Sequence, residues 1–230
     1  MDQDADRDAT QDATHDAAHD AARAQILDAA STVFQVRGFD QATIDDIAEA
    51  IGATKGRVYY YFRSKFDIYL AVYEEGMRRV TAIIRPLAEA PGTGLERLRR
   101  MSVRHLVNLM SDPGYHDVIT QGVVAGRSRA LKDRQRRALV ELNDIRQRYE
   151  EMFRGVVEQG VADGSLHTAD PRLATRFLLS SLNGTAVWFR PRGDQDATAV
   201  ADLAGQLADL ALHGIAGSTA PAASAETQGE

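Results

Sequence analysis

The 230-residue chain contains no cysteine. Disulfides, thiolate metal sites and cysteine nucleophiles are therefore excluded, and nothing calls for an oxidising compartment, which makes the cytoplasm the expected location. Long hydrophobic runs are also missing. None approaches the roughly 18 residues of a spanning helix, and the N-terminus has neither the basic start nor the apolar centre of a secretory signal. No G-x-S-x-G elbow, H-E-x-x-H helix, P-loop or dinucleotide fingerprint occurs. The six histidines lack a paired carboxylate at a diagnostic spacing. The expectation is a chain that is not an enzyme and uses no cofactor or metal.

Basic charge is scarce overall, with a net charge of −6, but its location matters more than its total. Residues 1–20 hold aspartates at 2, 4, 6, 8, 12, 16 and 20 and a single Arg, so the whole excess lies in this segment and the remainder is neutral. The segment is a four-residue repeat, DAT-QDAT-HDAA-HDAA, whose aspartates would repel one another at i, i+4 in a helix. It is expected to be a disordered acidic tail or a frayed extension of the first helix. His15 and His19 share the i, i+4 spacing, but a floating acidic repeat is not a preformed metal site. Residues 217–230 have no periodic apolar positions and are expected to be a second disordered tail.

Between the tails the apolar period is helical and no strand-like alternation is sustained, which predicts an all-α chain. Ile26, Leu27, Ala30, Val33 and Phe34 make a stripe that Gly38 should stop. Thr43 is placed to cap a short helix over 44–50, with Asp45 and Asp46 in its first turn. Gly52 ends that helix, and Thr54 can cap another from Lys55 to about Tyr61. A long helix then carries Phe66, Leu70, Tyr73, Met77, Val80, Ile84 and Leu87 at 4-3 spacing on one face. Further helices are predicted near 94–110, 115–125 and 131–162, from Asp170-Pro171 to about Arg190, and over the Val200 to Leu210 stripe.

Aromatics make up only 7% of the chain, yet three of its seven tyrosines are consecutive in GATKGRVYYYF, residues 52–62. Two short helices joined by a tight glycine turn, with Ala48 at their crossing and Ile44, Ile47, Val58 and Phe62 to bury, make a helix-turn-helix. Lys55, Arg57, Tyr60 and Tyr61 would form the exposed surface of its second helix, with Tyr59 nearer the edge. Phenols and cations together suit contact with phosphates and base edges. Lys55, Arg57, Arg63 and Lys65 supply the local positive footprint that the global charge conceals. From pattern alone, an αα-hairpin with half-buried tyrosines remains the other reading.

The string TIDDIAEAIGATKGRVYYYFRSKFDIYLAVYE, following an amphipathic helix that ends in GF, resembles the N-terminal domain of TetR/AcrR-family transcriptional regulators. Every position of the hallmark T-x-x-x-I-A-x-x-x-G-x-[ST]-x-G-x-[LV]-Y-x-[YH]-F-x-[SN]-K is filled. The resemblance implies a DNA-binding domain over 21–65 and a helical ligand-binding and dimerisation domain over 66–216. It further implies a repressor that binds a pseudo-palindromic operator as a homodimer and is released by a small hydrophobic effector. Thr43 and Lys65 would anchor phosphates. Thr54, Lys55, Gly56, Arg57, Tyr59 and Tyr60 would line the groove, Arg57 as base reader because its guanidinium can take guanine O6 and N7 together.

Candidate dimer helices are DPRLATRFLLSSLNGTAVWFRP and VADLAGQLADLALHGI. Polar residues that interrupt apolar faces, His105, Asn108, His116 and Asn183, together with Met101, Met110, Met152, Phe153 and Trp188, are candidates for the effector pocket. The TRF…AVWFRP ending, with Arg137, Arg146 and Arg148 upstream, is similar to regulators that sense acyl-CoA thioesters, whose phosphates arginines would suit. Leu179 and Asn183 depart from those relatives, so a drug-like molecule or an aromatic acid stays open as effector. A constitutive DNA-binding regulator, or a helical interaction protein without any effector, is the alternative to the sensor.

Overall fold

In the computed structural model residues 3–125, 133–190 and 196–214 are described, with side chains omitted for 3–15, 122–125 and 135. Among these residues every regular element is a helix. The order is α1 (Gln3–Gln41), α2 (Ile44–Ala50), α3 (Lys55–Tyr61), α4 (Lys65–Ala88), α5 (Gly94–Ser111), α6 (Pro113–Ala125), α7 (Asp133–Ala162), α8 (Pro171–Trp188) and α9 (Ala197–His213).

The boundaries follow local chemistry. Thr43 and Asp46 form a reciprocal capping box at the start of α2, and Thr93 and Glu96 form another at α5. Each such cap is worth about 1 kcal/mol. Thr54, Ser64 and Asp196 cap α3, α4 and α9 with a side-chain oxygen on a backbone N–H. Asp170 accepts from Arg172 N and Leu173 N ahead of a first-turn proline in α8. Gly38 has φ +73° and ψ 157°, so it breaks the helical path inside α1, and a last short stretch then reaches Gln41.

One expectation is narrowed here and another changes. The backbone of α1 starts at Gln3, so of the two forms expected for the acidic repeat it takes the extension of the first helix. Alanines between the aspartates favour helix, and His19 packs its ring against Tyr61 at 4.8 Å, which ties this end to α3. The 217–230 tail lies outside the described residues. In α4 the buried set is wider than the 4-3 stripe. Ile68, Tyr69, Ala71, Val72 and Gly76 are buried along with Tyr73, Met77, Val80 and Ile84, while Phe66, Leu70 and Leu87 are only partly covered. The first half of α4 is enclosed on two sides, by α1 and by α6 and α7, so a single stripe cannot serve it.

That double contact organises the molecule. The helices α1, α2 and α3 close on the start of α4 through Phe34, Ile47, Val58, Phe62 and Ile68, with Phe34, Phe39, Phe66 and Tyr69 forming an aromatic cluster. The rest of α4 packs on α5, α6 and α7, α8 closes the bundle, and α9 lies along α5. Close approaches set the joints. A Cβ on Gly94 would stand 2.2 Å from Gly160 Cα, so only glycine lets α5 start against α7. A Cβ on Gly114 would stand 2.9 Å from the Ser31 backbone, where α6 meets α1. At the same junction Tyr69 donates to the Val118 carbonyl at 3.0 Å.

Candidate DNA-reading face and ligand cavity

Helix α3 presents the reading face. Only Val58 of its seven residues is buried, so the helix is held by one apolar anchor, by its Thr54 cap and by the turn at Gly52 (φ +61°). Thr54, Lys55, Gly56 and Arg57 are all exposed. Arg57 makes no ion pair among the described residues, which leaves its guanidinium available. Lys55 is engaged: its Nζ lies 2.7 Å from Asp45 Oδ2 across the helix-turn-helix, and the hydrogen bond to that carboxylate holds the ammonium pKa above its usual value. A phosphate at this face would compete with Asp45 for the same cation.

The tyrosines divide differently from expectation. Tyr60 is 73% exposed and Tyr59 is 47% exposed, so both can reach a partner. Tyr61 is the half-buried one, because Tyr60 and His19 pack on its ring. The two expected phosphate anchors also make contacts within the protein. Lys65 directs its ammonium at the carbonyls of Phe39, Asp40 and Ala42, at 2.6, 3.0 and 2.7 Å, and sits over the Phe39 ring. All three of its protons are spent on carbonyls that α1 leaves open at its end, which makes Lys65 a structural clamp. The Thr43 hydroxyl is likewise committed to Asp46, donating to Oδ2 at 2.8 Å and accepting from Asp46 N.

A cavity of about 330 Å³ opens among α4, α5, α6, α7 and α8. Four of the nine expected ligand residues meet in its wall, namely His105, Asn108, His116 and Asn183. Met77, Val80, Ile119 and Leu179 supply the apolar lining. The His105 ring is wholly buried, with Nε2 3.0 Å from Asn183 Oδ1 and Nδ1 2.8 Å from the Tyr149 hydroxyl. As Asn183 offers an oxygen, Nε2 carries the proton and Tyr149 donates to Nδ1. Burial pushes the His105 pKa down to about 4, partly offset by the Asn183 bond, and that of His116 to about 3, with further help from His105. Both imidazoles are therefore neutral near pH 7.

At the solvent side Glu150 is shared by two cations. Its Oε1 lies 3.0 Å from Arg176 Nε and its Oε2 lies 3.8 Å from Arg146 Nη1. The cavity thus has a neutral, hydrogen-bonding interior and a net positive rim.

The other five candidates stand elsewhere. Met101, Met110 and Phe153 are buried in the core without reaching the cavity wall. Met152 borders a separate open groove of about 850 Å³ beside α4 and α7, where Arg78, Arg85 and Arg148 are matched by Glu74, Glu89 and Glu151. Trp188 is 55% exposed on the far face of α8. The lining residues Tyr115, Glu150, Arg176 and Gly76 went unread in the sequence. They lie far apart along the chain with no spacing signal, although Tyr115 at the start of α6 was visible as a lone aromatic in a predicted helix.

Tyr115 matters because it touches both halves of the molecule. It lines the cavity, and its hydroxyl donates to Asp28 Oδ1 of α1 at 2.7 Å. Asp28 also binds Arg79 Nη2 at 2.8 Å, and Arg79 sits over the Tyr115 ring and on Glu75. The two arginine contacts of Glu75, led by Arg78, bring its pKa down to about 2.

A helix-turn-helix with an exposed basic and aromatic second helix, joined by one long helix to a bundle that encloses a cavity, is the build of a DNA-binding regulator with a sensing domain. The family described as bacterial regulatory proteins, tetR family, matches residues 26–72, and the tetracyclin repressor-like C-terminal domain matches residues 91–215. The chain belongs to the TetR family of transcriptional regulators. The fatty acid metabolism regulator protein of Bacillus subtilis (strain 168) is 26% identical over 193 residues, covering 83% of this chain and 94% of that protein. The HTH-type transcriptional repressor KstR2 of Rhodococcus jostii (strain RHA1) is 27% identical over 195 residues, covering 84% and 91%. Among solved structures, the TetR family regulator PfmR of Thermus thermophilus superposes with a TM-score of 0.68 at 28% identity, covering 83% of this chain and 98% of that one. No described helix is long and apolar enough to cross a membrane.

Proposed function

We propose that this protein is a ligand-responsive repressor that binds a pseudo-palindromic operator as a homodimer and leaves it when a small, largely apolar effector enters the α4–α8 cavity. The observation that carries the reading is Tyr115, one side chain that both lines the cavity and holds α1 of the DNA-reading unit. A ligand that moves the cavity wall acts on the reading head through that contact and through α4.

The dimer reading rests on α8. Leu173, Phe177, Val187 and Trp188 are more than half exposed and recur along one face of the helix, and Leu210 of α9 is also exposed. Soluble monomers seldom leave so large an apolar stripe uncovered, and a two-fold pairing of α8 and α9 would cover it on both copies. Two copies would also present two α3 helices to successive major-groove half-sites.

An acyl-CoA thioester is the effector class favoured here over a free aromatic acid or drug-like molecule. The cavity has an apolar lining with Arg146 and Arg176 at its rim, so an acyl group inside and the phosphates of a carrier at the mouth would each meet matching chemistry. Naming of the Bacillus relative for fatty acid metabolism agrees with this.

The test has two stages. DNA retained by the purified protein is sequenced, and binding to the recovered site is titrated against salt. A log–log slope of roughly −5 to −9 is expected if about 6–10 phosphates are neutralised per dimer. Acyl-CoAs and hydrophobic small molecules are then screened by thermal shift, and each hit is titrated with and without operator. Release by about 100-fold requires a coupling of about 2.7 kcal/mol, and operator must weaken the effector by the same factor. If no compound of either class shows such coupling, the constitutive DNA-binding reading replaces the sensor.

A further inference from the structure

One residue of the cavity wall, His116, carries a buried hydrogen-bonding atom that the described residues leave without a partner. His116 Nε2 is buried, on a residue only 8% exposed, and makes no hydrogen bond to the protein. Among the described residues Arg97 Nε is the other buried atom in this condition, and it does not line the cavity. The neighbouring His105, by contrast, is satisfied on both ring nitrogens by Tyr149 and Asn183. The two imidazoles stand edge to face at 5.9 Å. Leaving a buried nitrogen unpaired costs the equivalent of about a five- to hundredfold change in an equilibrium, and a core built only for packing would place an apolar residue there.

We propose that His116 determines specificity in this cavity, its Nε2 taking one uncharged hydroxyl or carbonyl group of a compact, otherwise apolar ligand. The proposal rests on the reading of the cavity as the effector site, and it names the chemistry that the site selects. Size agrees: about 330 Å³ holds on the order of ten water-sized groups, the bulk of a fused bicyclic ring or a chain of similar volume. Met77, Val80, Ile119 and Leu179 offer only apolar contact, so the polar group of a ligand has His116, Asn108 and Ser180 to meet in the wall, and the His116 variants separate the share of His116 from theirs. An anionic group finds no cation near the two histidines and is drawn instead to Arg146 and Arg176 at the rim.

His116 also borders a smaller cavity of about 290 Å³ with Gln35, Asp117 and Arg190. If its Nε2 is served from that polar side, His116 offers the ligand no hydrogen bond and the proposal is wrong. The two cases give opposite preferences. With no partner, a hydroxyl entering the cavity loses its hydration and weakens binding. With His116 as partner, it strengthens binding.

The experiment uses the full-length protein with naphthalene and 1-naphthol, which are matched in shape except for one hydroxyl. Dissociation constants are measured by calorimetry for the wild type, His116→Phe and His116→Gln, and circular dichroism checks the fold of each. The wild type is expected to bind 1-naphthol about tenfold tighter or better. His116→Phe should keep naphthalene and lose the preference, and His116→Gln should keep part of it. Equal affinity of the wild type for both probes overturns the role of His116 while leaving the cavity as a ligand site, and so does a preference that survives in His116→Phe. Failure of the wild type to bind either probe overturns the cavity reading and the proposal together. Should His116→Phe not fold, the wild-type preference and its reduction in His116→Gln decide by the same criteria.

Discussion

Replacing Tyr115 by Phe removes a single bond between the two domains and nothing else. The ring stays under the Arg79 guanidinium, whose centre lies 4.5 Å from its centroid. Asp28 keeps the Arg79 contact at 2.8 Å, so no buried charge is left alone. What disappears is the 2.7 Å donation from Tyr115 Oη to Asp28 Oδ1. A hydrogen bond to a carboxylate is worth about 1.5–3 kcal/mol when sheltered. More than half of the Asp28 side chain is open to solvent, which reduces the expected loss to about 1 kcal/mol.

Urea denaturation followed by circular dichroism measures that loss. A double-mutant cycle with Asp28→Asn isolates the pairwise part, which should approach the same ~1 kcal/mol. Operator binding supplies the functional readout. With the tie cut, the reading head is less firmly set by the cavity wall, and the factor by which an effector weakens DNA binding should shrink in Tyr115→Phe. Additive single-mutant effects together with unchanged effector coupling would refute the idea that Tyr115 joins sensor to head.

Three further outcomes follow from the geometry. Arg57→Ala should cost about 1–3 kcal/mol at the operator and flatten preference at one base pair in selection from random DNA, whereas Lys65→Ala should lower the melting temperature through three lost carbonyl contacts and leave base preference intact. Deleting residues 2–15 should leave the melting temperature nearly unchanged and tighten binding to random-sequence DNA in a titration at low salt, because five aspartates, at 2, 4, 6, 8 and 12, are removed against one arginine. Acidification should destabilise the fold: the pKa values of His105 and His116, about 4 and about 3 in the folded state, lie below the unfolded value of about 6.5. The unfolded chain therefore binds more protons in this window, and stability falls as pH drops below about 6.5. A pH series of thermal melts should show this fall, with a shallower slope in His116→Gln.

Much of the molecule could be read locally. The spans of α2 and α3 follow from Thr43, Gly52 and Thr54, and the breaks at Gly38 and ahead of Pro171 follow from glycine and proline chemistry, because caps and breakers act within a few residues of themselves. The helix-turn-helix string carried the family for the same reason, since its packing contacts are all near in sequence. Helical periodicity also separated apolar from polar faces in each long helix.

What the sequence by itself determined was therefore the order of the helices and most of their ends and apolar faces, the start of α1 and the second face of α4 excepted, along with the candidate reading helix. Only the tertiary structure decided which helix each face would meet. Met101 and Trp188 both looked like pocket residues, yet packing turned one into the core of α5 and left the other outside on α8. The Lys65 ammonium, expected at a phosphate, also meets three carbonyls that only the end of α1 brings to it. The cavity itself joins His105, His116, Tyr149 and Asn183 from four helices with a Glu150 shared between Arg146 and Arg176. Periodicity fixes a side chain relative to its own helix axis, but the angle and distance between axes arise from side chains interlocking across the whole bundle, and that information exists only once the chain has folded.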